Sequence, residues 1–184
     1  MKRKTAKDIL ADSFRELAET RPIDKITVKE IAANCGYSSA TFYRQFKDKY
    51  DLIAWEYTHS VASIMEQINT DDYPWNRTLL DGMLSYMERK DYLANLFLHT
   101  EGQDSFIRYM TGINCDALRN YILKASGMSE LDQTTEMYIR IYCLGTVNMT
   151  CEWILGKYDV TPEQLADIFE QSLPAPLHPW LYTE

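Results

Sequence analysis

The chain has 184 residues, enough for one core or for a small domain packed on a larger one. A quarter of the residues are charged, which excludes a disordered chain or a fibre, and no apolar run is long enough to span a membrane. Residues 1–50 hold eleven Lys and Arg against seven Asp and Glu, a net charge of +4, whereas residues 51–184 carry −12. This asymmetry would orient a protein on DNA, but an accidental asymmetry of a solvated surface explains charge alone equally well.

Apolar residues recur at three- and four-residue steps along nearly the whole chain, which predicts an all-α protein. The first helix is expected over about residues 5–19 and ends before Arg21 and Pro22. Thr27 with Glu30 three residues later forms a capping-box pattern that begins a second helix, which ends near residue 34. Gly36 marks a tight turn, and Ser38 can cap a third helix over about residues 39–46.

The remaining helices are longer. The fourth is expected from residue 48 to a polar break at 69–74, followed by helices at about 76–89, 91–99, 104–125, 132–156 and 162–173. The tail at 174–180 contains three prolines and is expected to be extended and to cover a surface. The sequence therefore predicts a three-helix helix-turn-helix head at residues 1–50 and a larger helical effector-binding and dimerisation body at residues 51–184.

The second and third helices carry the pattern of a helix-turn-helix. Two short helices that cross steeply need a small residue at the crossing and a turn between them, which Ala32 and Gly36 supply. The outward side chains of the third helix are predicted to be Ser39, Ala40, Thr41, Tyr43 and Arg44. Short side chains at its start would let this helix lie deep in a major groove, where hydroxyls bond to base edges or phosphates.

This stretch resembles the DNA-binding head of the TetR family. The resemblance covers about residues 5–55 and departs from the family pattern at Tyr37, where valine is common. The matching positions are Thr27, Ile31, Ala32, Gly36, Ser38, Thr41, Phe42, Tyr43, Phe46 and Lys49. The resemblance implies a cytoplasmic transcription regulator with duplex operator DNA as its partner, and we also see no signal peptide at the N-terminus.

The resemblance implies roles for particular residues. Thr27 would anchor a phosphate, and Tyr43 and Lys49 would bind phosphates on either side of the groove. Tyr37 could reach a phosphate or close the small core, and Lys2, Arg3 and Lys4 could form a basic arm. Thr27 and Ser38 as helix caps, and Tyr43 as half-buried packing, remain alternatives. The predicted DNA-binding residues are Thr27, Tyr37, Ser38, Ser39, Ala40, Thr41, Tyr43, Arg44 and Lys49.

The C-terminal part carries a second, shorter resemblance. Residues 84–86, 102–106, 153–156 and 161–165 resemble the C-terminal domain of dihydroxyacetone-kinase-operon regulators. The helix at 131–156 is apolar over most of its circumference and has Gly145 in its middle, where a second backbone could approach closely. With the last helix it resembles the two-helix dimer face of the TetR family, which implies a homodimer with two heads about one DNA turn apart. A monomeric core helix is the alternative.

The resemblance also implies an effector between the helices of the body. Asn148 and Glu152, one turn apart in an apolar helix, are expected to be buried and to need polar partners, which the sequence leaves open as a group across the dimer, on a neighbouring helix or on a ligand. The effector is expected to be a small molecule or, as the shorter C-terminal resemblance allows, a protein, and plain core packing is the alternative for the aromatic residues. The predicted effector-pocket residues are Trp55, Tyr86, Phe106, Tyr109, Tyr138, Tyr142, Asn148 and Glu152.

Other chemistry has little support in the sequence. We expect no metal or cofactor, because the three histidines are widely separated and none of the four cysteines lies in a C-x-x-C pair. The cysteines are expected to be buried apolar residues, although a redox sensor from Cys143 and Cys151, which share a helical face, stays open. No phosphate-binding loop, H-E-x-x-H or G-x-S-x-G motif is present, so we expect no enzyme. The alternative function is a helical interaction module that acts through partner proteins without specific DNA binding.

Overall fold

The computed structural model describes residues 4–67, 75–100 and 105–182, and all regular structure in these ranges is helical. The predicted helices are present, with ends that differ from the expected ones by no more than two residues. Lys2 and Arg3, the break at 69–74, and Gly102 lie outside the described residues. The α-helices are α1 (Ala6–Ala18), α2 (Val28–Asn34), α3 (Ser39–Gln45), α4 (Lys49–Gln67), α5 (Trp75–Glu88), α6 (Lys90–His99), α7 (Phe106–Ser126), α8 (Gln133–Ile154), α9 (Pro162–Gln171) and α10 (His178–Leu181).

The head forms because each of its three helices has a polar cap and an apolar face. Thr5 caps α1 in a capping box with Asp8, and Leu10, Phe14 and Ala18 follow at four-residue steps and are buried. A short 3-10 helix (Ile23–Lys25) separates α1 from α2. Buried side chains of α2 and α3 close this small core, which therefore depends on the packing of all three helices.

The head and the body share one continuous apolar core, which runs from Leu10 in α1 to Phe169 in α9. A second cluster lies between α7, α8 and the C-terminal segment and contains Cys115, Cys143 and Ile139. Cys151 is buried in the main core, so three of the four cysteines are buried as expected. Within the described ranges, no helix is long and apolar enough to cross a membrane, and no group of His, Cys, Asp or Glu is placed to hold a metal ion.

Polar contacts between the head and the body also fix their relative position. Arg15 Nε of α1 donates to Glu56 Oε1 of α4 at 2.8 Å, and the buried Tyr92 hydroxyl of α6 donates to Glu56 Oε2 at 2.6 Å. The Asn95 side-chain amide of α6 donates to the carbonyls of Ala18 and Arg21, both at 2.7 Å, and its oxygen accepts from the backbone N–H of Ile23. The end of α1 is therefore held by hydrogen bonds as well as by apolar packing.

The extended tail predicted at 174–180 is wrong. Residues Ala175–Leu177 form a 3-10 turn, and α10 follows directly. Leu177 and Leu181 are one helical turn apart and are both buried, so this helical segment packs its apolar side on the body. The prolines do not prevent this, because a proline in the first turn of a helix loses no hydrogen bond.

Candidate nucleic-acid interface and effector cavity

The turn between α2 and α3 has the geometry of a helix-turn-helix. Gly36 adopts a φ of +75°, a left-handed conformation that favours glycine. The backbone N–H of Gly36 donates to Ala33 O at 3.1 Å, and that of Tyr37 donates to Ala32 O at 2.8 Å. These bonds end α2 and redirect the chain within four residues, so that Ser38 can begin α3.

The start of α2 is fixed by a network around Thr27. The Thr27 hydroxyl donates to Glu30 Oε2 at 2.6 Å and accepts from the Glu30 N–H at 3.3 Å, while Arg21 Nη1 contacts Glu30 Oε1 at 2.9 Å. The hydroxyl and backbone N–H of Thr27, followed by the Arg21 guanidinium, lower the pKa of the Glu30 carboxyl to about 2. The predicted capping box is confirmed. The Thr27 hydroxyl donates its proton to Glu30 within this box.

The outer surface of α3 is formed by the predicted residues. Phe42 is fully buried beneath the helix, whereas Tyr43 is 60% exposed and Ala40 and Arg44 are exposed. The Ser38 hydroxyl caps the helix at the Thr41 N–H, and Arg44 Nη2 donates to the Thr41 hydroxyl at 3.1 Å. The face therefore presents short hydroxyl and methyl groups beside one phenol and one guanidinium.

Two predicted DNA-binding residues face the protein more than solvent. Tyr37 is half-buried against the main core. The Lys49 ammonium donates to three backbone carbonyls of the preceding 3-10 segment, those of Ile23 at 2.7 Å, Asp24 at 3.0 Å and Ile26 at 2.9 Å. Burial is the main cause that lowers the pKa of Lys49. Lys49 therefore ties the carbonyls of this segment together, and one of them, that of Ile23, also accepts from the Ile26 N–H at 3.1 Å.

Sequence reasoning missed two exposed cations next to this surface. Lys29 lies in the first turn of α2, and Lys47 lies between α3 and α4. Lys29 could have been found from the helical pattern of α2, whereas Lys47 lies in the non-helical segment between α3 and α4 and has no such signal. Both add positive charge close in sequence to the α2–α3 pair.

A cavity of about 120 Å³ lies inside the body, between α4, α5, α7, α8 and α9. Its wall is mostly apolar, with polar groups from α5, α7 and α8. The Tyr57 hydroxyl of α4 bonds to the Tyr86 hydroxyl at 3.0 Å and to Asn114 Oδ1 at 3.1 Å. Burial raises the pKa values of Tyr57 and Tyr86, so both phenols stay neutral.

Only two of the predicted effector residues, Tyr86 and Tyr142, line this cavity. Trp55 instead stacks on His59 and packs against Phe46. Phe106 and Tyr109 are near Tyr57 but border a different cleft, whose other lining residues are Lys47, Asp48, Tyr50, Asp51, Ile53, Ala54, Thr100 and Ser105. Tyr138 packs against the second core cluster.

The expectation that Asn148 and Glu152 are buried is wrong. Asn148 is exposed, and its side chain donates to Leu144 O at 2.7 Å within its own helix. Glu152 is bonded to Lys157 and Tyr158 at the end of α8, and these two residues lower the pKa of its carboxyl. The two residues belong to the outer side of α8, so they do not reach the cavity.

Comparison with known proteins identifies the family. A sequence model described as "Transcriptional regulator C-terminal region", of the TetR group, matches residues 75–174, which is more than half of the chain. A second, described as "Bacterial regulatory proteins, tetR family", matches residues 10–54. The chain belongs to the TetR family of transcription regulators. Its predicted resemblance to that family is confirmed.

Individual TetR-family proteins are also similar. The HTH-type dhaKLM operon transcriptional activator DhaS of Lactococcus lactis subsp. lactis (strain IL1403) is 28% identical over 99 residues, 53% of this chain and 52% of the relative. The chain thus matches about half the length of that curated relative. These similarities confirm the resemblance to dihydroxyacetone-kinase-operon regulators.

Solved structures share the fold. A dihydroxyacetone kinase operon activator DhaS has a TM-score of 0.69 at 18% identity, over 96% of this chain and 98% of that chain. FadR of Thermus thermophilus, a TetR-family repressor in complex with lauroyl-CoA, has a TM-score of 0.64 at 16% identity, over 97% and 96%. Both cover the head and the body, so the whole described chain adopts the TetR-family arrangement.

In this TetR-family chain, α8 and α9 present an apolar surface to solvent. Ile141 is 62% exposed, Met137 58% and Ile168 of α9 50%, and Leu144 and Met149 extend the surface along α8. Gly145 lies within it, and a Cβ added there would meet nothing within 4 Å in the single chain. The opposite side of α8 is buried in the core, so this helix is apolar on both sides, as predicted.

Proposed function

We propose that the protein binds a pseudo-palindromic operator in duplex DNA as a homodimer in the cytoplasm, with α3 of each chain in a major groove. The outer face of α3 carries this proposal. Tyr43 is 60% exposed beside the fully buried Phe42, so the helix is anchored on one side and open on the other. Short residues at the start of a recognition helix allow close approach to base edges.

The proposed contacts follow the geometry of the head. Ser39, Ala40 and Thr41 face base edges, with Arg44 beside them. Tyr43 and Ser38 face the DNA backbone at the two ends of α3, the half-buried Tyr37 closes the small core of the head, and the exposed Lys29 and Lys47 add phosphate contacts. We propose a structural role for Thr27 and Lys49. Thr27 fixes the start of α2, because its hydroxyl donates to Glu30, and Lys49 fixes the 3-10 segment, because its ammonium donates to backbone carbonyls.

The proposed dimer uses the apolar surface of α8 and α9. An exposed apolar patch of several large side chains marks an interaction surface, and a two-fold axis would pair the patch with its copy. Gly145 supports this arrangement, since the single chain gives no packing reason for a glycine in the middle of α8. We also propose that residues 1–50 and 51–184 act as reading head and regulatory body, with α4 as their link.

An effector in the cavity of the body is the proposed regulator. Tyr86 lines the cavity and bonds to Tyr57 of α4. The preceding residue, Glu56, holds Arg15 of α1. Movement of α5 on effector binding would therefore be transmitted through α4 to the head. The head would then have two arrangements relative to the body, and the affinity for DNA would change by the ratio of the effector's affinities for these two arrangements. The small volume and mostly apolar wall of the cavity favour a small molecule over a protein as this effector.

Binding of purified protein to genomic DNA fragments tests the DNA-binding proposal. We expect selective retention of a palindromic fragment, with a binding constant that falls as salt concentration rises because counterions are released from the phosphates. A Tyr43→Ala variant is expected to bind about ten-fold more weakly. Tyr158→Ala is the matched control, because Tyr158 is 45% exposed but lies between α8 and α9 in the body.

Light scattering and circular dichroism on the same samples establish that the variants are folded and in the same oligomeric state. No selection among fragments by a folded protein would overturn the proposal and favour a module that acts through partner proteins. Equal loss of binding in both tyrosine variants would remove Tyr43 from the interface.

A further inference from the structure

One face of α5 forms a wall of the cavity with an unusual composition. Thr78, Gly82 and Tyr86 are spaced four residues apart, lie on the same face of the helix and all line the cavity. Along this wall a hydroxyl is therefore followed by a position without a side chain and then by a phenol. The glycine needs a physical explanation, because a glycine inside a helix costs about 1 kcal/mol relative to alanine.

Gly82 keeps the cavity open. The residue is buried, has no positive φ, and a Cβ built on it would meet nothing within 4 Å among the described residues. Neither backbone conformation nor close helix packing in the described chain therefore requires glycine here. A side chain at this position would instead project into the cavity, so the glycine preserves space between Thr78 and Tyr86.

Two polar groups of α5 lack hydrogen bonds at this wall. The Thr78 hydroxyl and the Trp75 indole N–H are buried and have no hydrogen-bond partner among the described residues. The Trp75 N–H does lie close enough to the Tyr142 hydroxyl to oppose the rise that burial causes in the pKa of that phenol. The Thr78 hydroxyl is thus the more clearly unpaired of the two groups, and a buried hydroxyl without a partner costs free energy.

The remaining wall excludes charge. No Asp, Glu, Lys, Arg or His lines the cavity among the described residues, and its other polar side chains are Asn114, Tyr142, Thr146, Thr150 and a cysteine thiol. A buried ion without an opposite charge is strongly disfavoured. The volume of about 120 Å³ suits one small ring, since an engineered apolar cavity of about 150 Å³ binds benzene.

We propose that this cavity binds an uncharged, mainly apolar molecule about the size of one six-membered ring, seated over Gly82 with a single hydrogen-bond acceptor on the Thr78 hydroxyl. The inference rests on the proposed effector function and specifies its ligand class. The Tyr86–Tyr57 pair borders the other end of the same wall, so the ligand would contact the residue through which α5 is bonded to α4.

Methyl NMR of protein labelled at methionine tests the proposal without DNA. The probes are cyclohexanone, methylcyclohexane and cyclohexanecarboxylate, which share a ring and differ in acceptor and charge. Met83 and Met110 line the cavity, whereas Met137 and Met149 lie on the exposed surface of α8 and are internal controls. We expect saturable shifts of the Met83 and Met110 resonances with both neutral probes, and none with the carboxylate.

Two variants locate the ligand. Gly82→Leu fills the space with a strong helix former and is expected to abolish the shifts with both neutral probes, and Gly82→Ala is a smaller replacement in case the leucine variant does not fold. Thr78→Val removes only the hydroxyl at nearly constant shape. It is expected to lower the affinity for cyclohexanone relative to methylcyclohexane by about three- to ten-fold, the value of one neutral hydrogen bond.

The proposal is overturned by saturable binding of the carboxylate at Met83 and Met110, by no shifts with either neutral probe, or by an unchanged affinity ratio in Thr78→Val. Shifts at Met137 and Met149 that grow in proportion to probe concentration without saturating would show nonspecific partition of the probes, and the same behaviour at Met83 and Met110 would overturn the proposal as well. Because the measurement contains no DNA, its failure leaves operator binding, tested by fragment retention, unaffected.

Discussion

Replacement of Ile141 by glutamine is expected to weaken the association of two chains without unfolding either one. The side chain is 62% exposed in the single chain and lies in the apolar surface of α8 and α9. Complete burial of an isoleucine contributes about 1.5–3 kcal/mol, so burial of the exposed fraction contributes about 1–2 kcal/mol. A two-fold axis places this substitution in the interface twice, which gives a total loss of about 2–4 kcal/mol.

This loss corresponds to a dissociation constant raised about 30- to 1,000-fold. Sedimentation velocity over a range of protein concentrations measures the change directly. Leu98→Gln is the matched control, because Leu98 of α6 is 59% exposed but lies outside the surface formed by α8 and α9. Glutamine is tolerated in helices, so circular dichroism should show the same helical content in both variants.

The reasoning is refuted if both variants associate like the original chain, or if they weaken association equally. The first result would mean that the α8 and α9 surface is not the interface. The second would mean that exposed apolar area in general, rather than this surface, drives association.

Three further predictions concern the head and the cavity wall. Lys49→Met should lower the free energy of unfolding, measured by urea titration, by about 1–2 kcal/mol. The slope of the logarithm of the DNA-binding constant against the logarithm of the salt concentration should stay the same, whereas a slope smaller by about one would show that Lys49 contacts a phosphate directly. The pKa of the Glu30 carboxyl is lowered from 4.5 to about 2, so its contribution to stability is complete above pH 4.5 and is lost as the pH falls towards 2. Glu30→Gln should therefore have a lower free energy of unfolding than the original chain at neutral pH and the same free energy near pH 2. A difference between the two chains that does not change with pH would contradict this. Gly82→Ala should raise the free energy of unfolding by about 1 kcal/mol for the better helix former, plus the contribution from burial of one methyl group. The control is Gly112→Ala at an exposed helical position, which should gain only the helix contribution. A gain at Gly82 equal to or smaller than the gain at Gly112 would show that the cavity wall has no room for the methyl group.

The helix-turn-helix could be predicted from the sequence because its signals are local. Thr27 with Glu30, Gly36 and Ser38 each set a helix end through bonds within three or four residues. The side-chain direction of Lys49 could not be predicted in this way, since its three carbonyl acceptors lie 23 to 26 residues earlier in the chain. Its match to the family pattern indicates the position but not the contact.

The effector residues were harder to predict for a related reason. An apolar helix such as α8 has two buried sides in an assembly, and its sequence does not tell which side faces the cavity. Asn148 and Glu152 were assigned to the wrong side for this reason. The open space beside Gly82 and the unpaired hydroxyl of Thr78 become visible only when α5 is packed against its neighbours.

The hydrogen bonds of Asn95 have a consequence for the exchange of heads between regulators. Among the described residues, the hydrogen bonds of its side-chain amide join it to main-chain atoms of the head, the carbonyls of Ala18 and Arg21 and the N–H of Ile23. The body thus recognises the path of the chain at this point and not the identity of its side chains. A chimera that places a foreign head on this body would keep these three bonds if its chain turned in the same way, and would then need an arginine opposite Glu56 and apolar side chains that fit the shared core to complete the junction. Operator preference could in this way be replaced while the response to the effector is inherited unchanged.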